Sequence, residues 1–540
     1  MSNGRALAVL AGAQFLMVLD QSVMNVSISQ LVADFDTSVT TIQTVITLYS
    51  LVMAALMITG GKLGDVMGRR RAFTIGLVVY GLGSALTAVS WSVGSLTLGW
   101  SILEGIGAAL VLPALVALTA STFSGRERAG AYGVLGGVAG AGIAVGPILG
   151  GWLTTNLTWR LVFAGEVVIV ILLLIFAGAL TEKAREGEKP RVDWLSAALS
   201  ALGLSIVVLG VLQSSKWGWL EPRNPPFEVL GFSPVPFLIA AGLVLIYAFV
   251  SRQRALEERD AGPLVRLSMF RNPVLGSGLQ MFCAQNLILL GIFFTIPLYL
   301  QVVQGFDAFE TGLRMLPVSI AMLIAGAVGG RLSSRVAPRR IVRLGLVVTL
   351  LAVVMLLATI DPQIDDLAFA VAMSALGLGM GLVVSQLGNV VQSAVGESER
   401  SEAGGLQYTA QQFGAALGTA LIGAVLISGL VSNFGEAVAS NAAIGEDTKA
   451  EVGVRLEGDV SFVSAAQIRD VAEAEGLDET EVTEIVGDYE DSQLQALKTA
   501  LLVAGLIVLG SLAGTRNLPR DPFTEDGAPA GAETTAAAPA

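Results

Sequence analysis

The chain of 540 residues contains no histidine and only one cysteine, Cys283. The absence of histidine excludes histidine metal sites, serine–histidine triads and histidine proton switches. A single cysteine excludes an intramolecular disulfide, and its apolar surroundings indicate a packing residue. Since the chain also lacks a nucleotide-binding loop, we expect no metal site, no cofactor and no enzymatic activity.

Charged residues are scarce, at 14% against the roughly 25% that is usual in soluble domains. Hydrophobic residues make up 53% of the chain, and the mean hydropathy is +0.71. Apolar runs long enough for a bilayer of about 30 Å recur along the chain. They predict an all-α polytopic membrane protein with spans near 6–30, 42–61, 72–90, 95–118, 128–154, 159–181, 193–213, 235–252, 273–303, 309–331, 339–360, 366–391, 404–430 and 494–514.

Basic residues are distributed unevenly between the loops that join these fourteen spans. If the N-terminus lies inside, most lysines and arginines fall in inner loops, while the short outer loops hold only Lys216 and Arg223. The positive-inside rule then predicts that both termini are cytoplasmic. The chain has more arginine than lysine. Alanine and glycine are also abundant, as in the proteins of GC-rich bacteria. We therefore expect a multi-pass protein of a bacterial cytoplasmic membrane.

A charged segment from 61 to 71 separates the second and third spans and, because charge is costly in hydrocarbon, should lie at the membrane surface. The segment contains Gly61, Leu63, Asp65, Gly68, Arg69 and Arg70. An ordinary basic loop would require only cations, not an aspartate and regularly spaced glycines. The spacing of these residues resembles the signature loop of the major facilitator superfamily. The resemblance implies a gating motif in which Asp65 anchors the cytoplasmic gate.

The segment near 330–340 repeats this motif weakly, with Ser334 where Asp65 stands. Two related halves fit a transporter with a binding site between them. Fourteen spans with a central inserted pair resemble the fourteen-helix drug:proton antiporter branch of the superfamily. The resemblance implies a major facilitator fold of two six-helix bundles plus two inserted helices. The implied domains are an N-terminal bundle at 1–181, a linker with the inserted helices at 182–254, five helices of the second bundle at 255–432, an acidic extracellular loop with short helices at 433–493, a last transmembrane helix at 494–515 and a disordered cytoplasmic tail at 516–540.

Asp20 lies about midway along the first span, in a stretch similar to the first-span signature of that antiporter branch. An aspartate at the bilayer centre costs about 2.5–3.5 kcal/mol on insertion scales, so such residues are usually functional. We expect Asp20 to bind a proton or another cation. The alternative is a structural carboxylate that is capped by its neighbours Gln21, Ser22 or Asn25.

Two further acids depart from the family pattern. Glu104 occupies a position where relatives have glutamine, and Glu166 occupies one where they commonly have asparagine. Near Glu104, Ser101 occupies the position of an arginine that relatives have. With no lysine or arginine deep among them, Asp20, Glu104 and Glu166 form the predicted proton- or cation-binding set, with the proton as coupling ion. Repulsion between them should keep at least one acid protonated. The alternative is that Glu104 and Glu166 only accept hydrogen bonds in helix packing.

The fifth span contains glycines four residues apart, which let a neighbouring helix pack closely, and a proline that bends the helix. This pattern matches the antiporter motif of the branch, which implies a seal that opens and closes. The motif residues are Gly142, Gly146, Pro147, Gly150 and Gly151. Aromatic and amide side chains predict a substrate cavity lined by Gln21, Asn25, Phe282, Gln285, Asn286, Phe293 and Gln411. Arg314 is expected to pair with Glu310, one turn before it.

The segment 430–493 contains sixteen acidic and three basic residues, so it accounts for the whole net charge of −12. Ser464 with Gln467, and Asp478 with Glu481, have the spacing of helix-start capping boxes. We expect short amphipathic helices on the outer face. They form either a solvated insertion without a transport role or a surface for an extracellular protein partner.

Together these features predict a proton-driven exporter of amphiphilic or cationic drugs and similar compounds. An exporter or flippase for a lipid or secreted metabolite is the alternative with the same fold. A membrane-embedded sensor or assembly factor is the alternative from another class. We expect a monomer whose partners are membrane lipids and a small amphiphilic or lipid-like substrate, and no nucleic acid.

Overall fold

Long α-helices account for most of the chain. The structure, a computed structural model, describes residues 2–123, 125–180, 192–223, 225–333, 335–396, 399–446, 448–449, 452 and 462–522. The long helices are α1 (Ser2–Val26), α2 (Val39–Met67), α3 (Arg69–Ala88), α4 (Gly105–Thr122), α5 (Gly125–Asn156), α6 (Arg160–Phe176), α7 (Trp194–Trp217), α8 (Val235–Glu258), α9 (Pro273–Leu298), α10 (Ala308–Leu332), α11 (Pro338–Thr359), α12 (Asp366–Ser393), α13 (Arg400–Ser440) and α14 (Glu479–Gly514).

Thirteen helices in the described part of the chain are long and apolar enough to cross a membrane. The helix that falls short is α6, which has 17 residues and continues into a single 3-10 turn, Ala177–Ala179. It packs against α3 and α1 like the other members of its bundle. The prediction of an all-α polytopic membrane fold is confirmed.

The helices form two bundles that meet along two seams. In the first bundle α1 packs on α5, and α3 packs on α4 and α6. In the second, α9 packs on α13, and α10 and α11 pack on α12. The seams between the bundles are α2 against α13 and α5 against α10. We call the end of the molecule that carries residues 61–71 the motif end, and the end that carries Val26 and Ala308 the opposite end.

The inserted helices α7 and α8 pair with each other outside the two bundles. Of the two, α7 also contacts α2 and α13, so it covers one of the seams. A small apolar core joins the three helices there, formed by Leu51 of α2, Val208 and Leu212 of α7, and Ala416 and Ala420 of α13. The inserted pair is thus packed against both halves at once.

The boundaries at the C-terminal end differ from those predicted. Helix α13 extends to Ser440 and α14 begins at Glu479, so both helices continue beyond the predicted spans into the segment 433–493. Asp478 starts α14 because its side chain accepts hydrogen bonds from the backbone N–H groups of Thr480 and Glu481. The capping box at Ser464 is also present, and it starts a short helix, Ala465–Ala474, that packs on α14. The predicted tail beyond 522, like residues 181–191 of the linker, lies outside the described residues.

The expected pair between Arg314 and Glu310 is wrong. Glu310 is engaged in a capping box with Asp307 at the start of α10. Arg314 instead donates to Asp366 at 3.0 Å, and its guanidinium lies 3.6 Å from the centroid of the Phe306 ring. Glu310 therefore caps the start of α10, and Arg314 joins α10 to the start of α12 instead of pairing with Glu310.

The seam between α5 and α10 depends on glycines at the opposite end. A Cβ atom on Gly312 would overlap the carbonyl oxygen of Pro147, and one on Gly151 would overlap that of Ala308. A Cβ atom on Gly326, also in α10, would meet no atom within 4 Å. Gly312 and Gly151 are therefore required for the close approach of the two backbones, whereas Gly326 is not.

Gly312→Ala should lower the stability of the protein by about 1–3 kcal/mol, because the seam must separate to admit the methyl group. Gly326→Ala, the matched control in the same helix, should leave it unchanged or raise it slightly. The measurement is thermal unfolding of both variants in detergent. Equal melting temperatures for the two variants would contradict this description of the seam.

Candidate functional site

Asp20, Glu104 and Glu166 meet in the interior of the first bundle. One carboxylate oxygen from each lies within 4.8 Å of the others, and all three residues are at most 1% exposed. They come from three elements: α1, the residue just before α4, and α6. The structure therefore brings together the three acids that the sequence analysis had grouped. We call them the acid cluster.

A π-helical segment, Thr97–Glu104, carries Glu104 into this cluster. Single turns of π-helix change the direction of side chains within an otherwise regular helix and often occur at functional sites. Glycines bring α3 close to this segment: a Cβ atom on Gly83 would approach the Cγ of Glu104 to 2.6 Å, and one on Gly107 would approach the Tyr80 nitrogen to 2.6 Å. This tight packing places the face of α3 directly against the acids.

Neutral donors surround the acid cluster. The indole Nε1 of Trp100 donates to Asp20 Oδ1 at 2.8 Å. The Trp100 ring stacks on Tyr49 with centroids 4.7 Å apart and an angle of 5° between the planes. The aromatic pair thus fixes the position of the donor. Sequence reasoning did not identify either ring as part of the site.

The other two acids receive hydroxyl groups from α3. Thr87 donates to Glu104 Oε1 at 3.2 Å, and Tyr80 and Ser84 donate to Glu166 Oε2 at 3.3 and 3.1 Å. These three residues recur at helical spacing on one face of α3. That polar stripe in an apolar span is a signal from which they could have been found.

Each acid also has a second carboxylate oxygen that is buried and has no hydrogen-bond partner in the described part of the chain: Asp20 Oδ2, Glu104 Oε2 and Glu166 Oε1. None of the three acids forms an ion pair with lysine or arginine among the described residues. Three negative charges at this separation in an apolar interior would be strongly unfavourable. The cluster therefore requires positive charge, either as bound protons or as another cation.

The residues predicted to line a substrate cavity fall into two groups. On α1, Gln21 donates to Gln412 Oε1 of α13 at 3.3 Å, and Asn25 donates to the Gln21 carbonyl at 2.8 Å. This hydrogen bond between the halves involves Gln412, while the predicted Gln411 beside it is half-buried. On α9, Asn286 donates to Gln285 and to the Phe282 carbonyl, both at 3.0 Å, while Phe282, Gln285 and Phe293 are buried.

At the motif end, Gly68 joins α2 to α3 with φ of 99°, a backbone conformation that favours glycine. Asp65 pairs with Arg69 at 3.3 Å, and Arg69 also donates to the Ala117 carbonyl of α4 at 3.4 Å. Gly61 lies near Pro113 of α4, whereas Arg70 is exposed. The motif thus ties α2, α3 and α4 together at this end.

The glycine motif of α5 packs mainly against α1. Gly142, Gly146 and Gly150 lie against Val18, Ser22 and Val23, respectively, and Gly151 faces α10 as described above. Ser22 Oγ also donates to the Ile143 carbonyl at 3.4 Å. The helix that carries Asp20 is therefore in close contact with the helix that forms one seam between the halves.

A transporter of two packed helical bundles is the class that this fold and site define. A model of the family described as "Major Facilitator Superfamily" matches residues 10–419. The chain therefore belongs to the major facilitator superfamily, whose members are transporters and not enzymes.

Known relatives agree with this assignment. The chain is 32% identical to the cephamycin export protein of Amycolatopsis lactamdurans, over 80% of this chain and 88% of that protein. It is 30% identical to the puromycin resistance protein of Streptomyces alboniger, over 78% and 81% of the two chains. A crystal structure of a bacterial homologue of the human lysosomal transporter Spinster, inward-facing and unoccupied, superimposes with a TM-score of 0.59 at 15% identity, over 97% and 99% of the two chains. The resemblance to the drug-antiporter branch is confirmed.

Trp100→Phe should lower the stability of the protein by about 1–3 kcal/mol, because it removes the indole donor to the buried Asp20 carboxylate while keeping an aromatic ring for Tyr49. The measurement is thermal unfolding in detergent. Trp91→Phe, at an exposed tryptophan, is the matched control and should have no effect. If both variants have the same melting temperature as the wild type, the indole N–H does not contribute to holding Asp20.

Proposed function

We propose that this protein is a proton-driven antiporter that exports amphiphilic and cationic drug-like compounds across a bacterial cytoplasmic membrane. Its similarity to export and resistance proteins supports drug export. The acid cluster is the observation that carries the proposal for proton coupling. It consists of three buried carboxylates within 4.8 Å of one another, whose hydrogen-bond donors among the described residues are all neutral.

A group couples transport to protons when it gains and loses them as access alternates between the two sides. The gain of a proton is supported by the second oxygen of each acid, which is buried and has no partner among the described residues, so that a proton can be held there. Alternation of access is supported by the packing of α1, which carries Asp20, on α5, a helix of the α5–α10 seam. Movement of that seam changes the surroundings of Asp20 through the contact of Ser22 with the Ile143 carbonyl.

The substrate path in this proposal runs between the halves, beside the amide pair Gln21 and Gln412. Gln412 lies on α13, which forms one seam with α2, and Gln21 lies on α1, which packs on the seam helix α5. The motif end, which is rich in basic residues, is placed in the cytoplasm, and both termini lie on that side. Asp65 then belongs to the cytoplasmic gate.

Asp20→Asn should abolish uphill export driven by an imposed pH gradient, because the amide keeps the shape of the side chain but cannot exchange a proton. The protein should still insert and fold. Transport of a cationic dye into proteoliposomes, with simultaneous measurement of proton counterflow, is the test. Asp366→Asn, at an exposed acid of the opposite end, is the control and should transport normally.

Full uphill transport by a well-folded Asp20→Asn protein would remove Asp20 from the mechanism. Movement of a fluorescent lipid analogue in the same vesicles, without dye movement or proton counterflow, would favour the lipid exporter. If the wild type moves neither the dye nor the lipid analogue, both drug export and lipid export are contradicted.

Glu104→Gln should weaken the export of a cationic dye more than that of a neutral one, by about tenfold in the ratio of rates. The amide still accepts the Thr87 hydrogen bond but removes one negative charge from the interior. Efflux of the two dyes from matched vesicles measures the ratio. An unchanged ratio would show that Glu104 acts only in helix packing.

A further inference from the structure

The segment 263–268, which follows the inserted helix α8, contacts both halves of the transporter and the inserted pair. We call it the strap. It lies at the motif end, between residues 58–65 of α2 and the start of α13. Leu264 and Val265 are each 3% exposed and belong to a small apolar core with Phe249 of α8 and Ala197 of α7.

The inserted pair holds the strap through Gln253, a fully buried side chain of α8. Its Oε1 atom accepts hydrogen bonds from the backbone N–H groups of Leu264 at 2.7 Å and Val265 at 3.1 Å. Its Nε2 atom donates to Ser196 Oγ of α7 at 2.6 Å. One glutamine therefore ties the strap to both inserted helices.

A second group of hydrogen bonds ties the strap to the two halves. On the first half, Lys62 Nζ donates to the Pro263 carbonyl at 2.9 Å. On the second half, Glu402 Oε1 accepts the backbone N–H of Arg266 at 2.6 Å. Ile58 of α2 and Leu406 of α13 pack against the apolar core of the strap. A cleft of about 50 Å³ lies between these parts.

The consequence for the gate follows from this position. For the motif end to open, α2 and α13 must separate, so the strap must release Lys62 or Glu402. Release leaves a backbone group or a charged side chain without its partner and exposes Leu264 and Val265 to water, which is unfavourable. The strap thus favours the closed motif end.

We propose that the inserted pair of helices acts as a clasp, in which Gln253 positions the strap and the strap holds the motif end closed. Gln253 and Glu402 are then positioning residues for alternating access. The clasp assigns a role to the two helices that lie outside the repeated bundles. It depends on the transporter fold and not on the identity of the coupling ion.

The opposite end offers a matched comparison. There Gln301, which follows α9, donates from Nε2 to the Val26 carbonyl at the end of α1 at 2.9 Å. This hydrogen bond also joins the two halves, but at the other end of the molecule. Loss of Gln301 should therefore shift the transporter in the direction opposite to loss of Gln253.

The test measures distances between spin labels in the full chain with Cys283→Ser as background. One label pair, at Glu127→Cys and Arg340→Cys, reports on the motif end. A second pair, at Asn156→Cys and Gln363→Cys, reports on the opposite end. All four positions are exposed in the structure. Distance distributions recorded in lipid nanodiscs give the ratio of open to closed molecules at each end.

Gln253→Leu should raise the ratio of open to closed molecules at the motif end by about tenfold, the effect expected when a buried hydrogen-bond acceptor is lost. Glu402→Ala, which weakens the strap from the other side, should act in the same direction. Gln301→Leu should instead increase opening at the opposite end. Thermal unfolding of each variant confirms that the protein is folded.

Distances that are unchanged at the motif end in both Gln253→Leu and Glu402→Ala, while Gln301→Leu shifts the opposite end, would overturn the clasp. If Gln253→Leu does not fold, Glu402→Ala alone decides between the outcomes. Because no proton gradient is applied, a failed clasp leaves the proposed proton coupling intact. A failure of proton coupling in Asp20→Asn likewise leaves the clasp standing.

Discussion

The central constraint on this molecule is the placement of three carboxyl groups in an apolar interior without a basic partner in the described part of the chain. Their negative charges cannot coexist there, since water is excluded and the dielectric constant is low. Neutral hydroxyl and indole groups satisfy one oxygen of each acid and leave the second oxygen buried. The first bundle is consistent with a site that is stable only when it carries added positive charge.

Close helix packing makes this arrangement possible. Glycines at the contact between α3 and the π-helical segment allow the polar face of α3 to reach Glu104 and Glu166. The same principle operates around α5, whose glycines pack against α1 within the first bundle and against α10 at the seam. The Ile143 carbonyl of α5 accepts hydrogen bonds from Ser22 of α1 and Ser319 of α10. A shift of the seam would therefore change the hydrogen bonds of the helix that carries Asp20.

The inserted helices pack against both halves of the transporter and are not only additional spans. One of them covers the seam between α2 and α13, and the strap that follows them contacts both halves at the motif end. At the other end, the acidic segment after α13 is partly organised by its own packing. Tyr489 of α14 packs edge-to-face on Phe434 of α13, and Asn441 donates to Asp488 and Glu484. Both additions to the repeated bundles are thus built onto helices that form the bundles themselves.

The sequence by itself determined the membrane-spanning helical fold, because long apolar runs have no other stable form in a bilayer. Its local signals also placed the charged segment 61–71 between two spans, predicted the helix starts at Ser464 and Asp478, and grouped the three acids that meet in one bundle. The tertiary structure alone decided which groups surround those acids. The polar stripe that contains Tyr80 and Thr87 is visible in the sequence, but the acids that it meets are not, and Trp100 has no local signal at all. The tertiary structure also decided that Arg314 pairs with Asp366, a residue 52 positions away, and that the strap lies between the halves. Contacts of this kind depend on the angles and distances between helices, which periodicity and spacing along one chain do not contain.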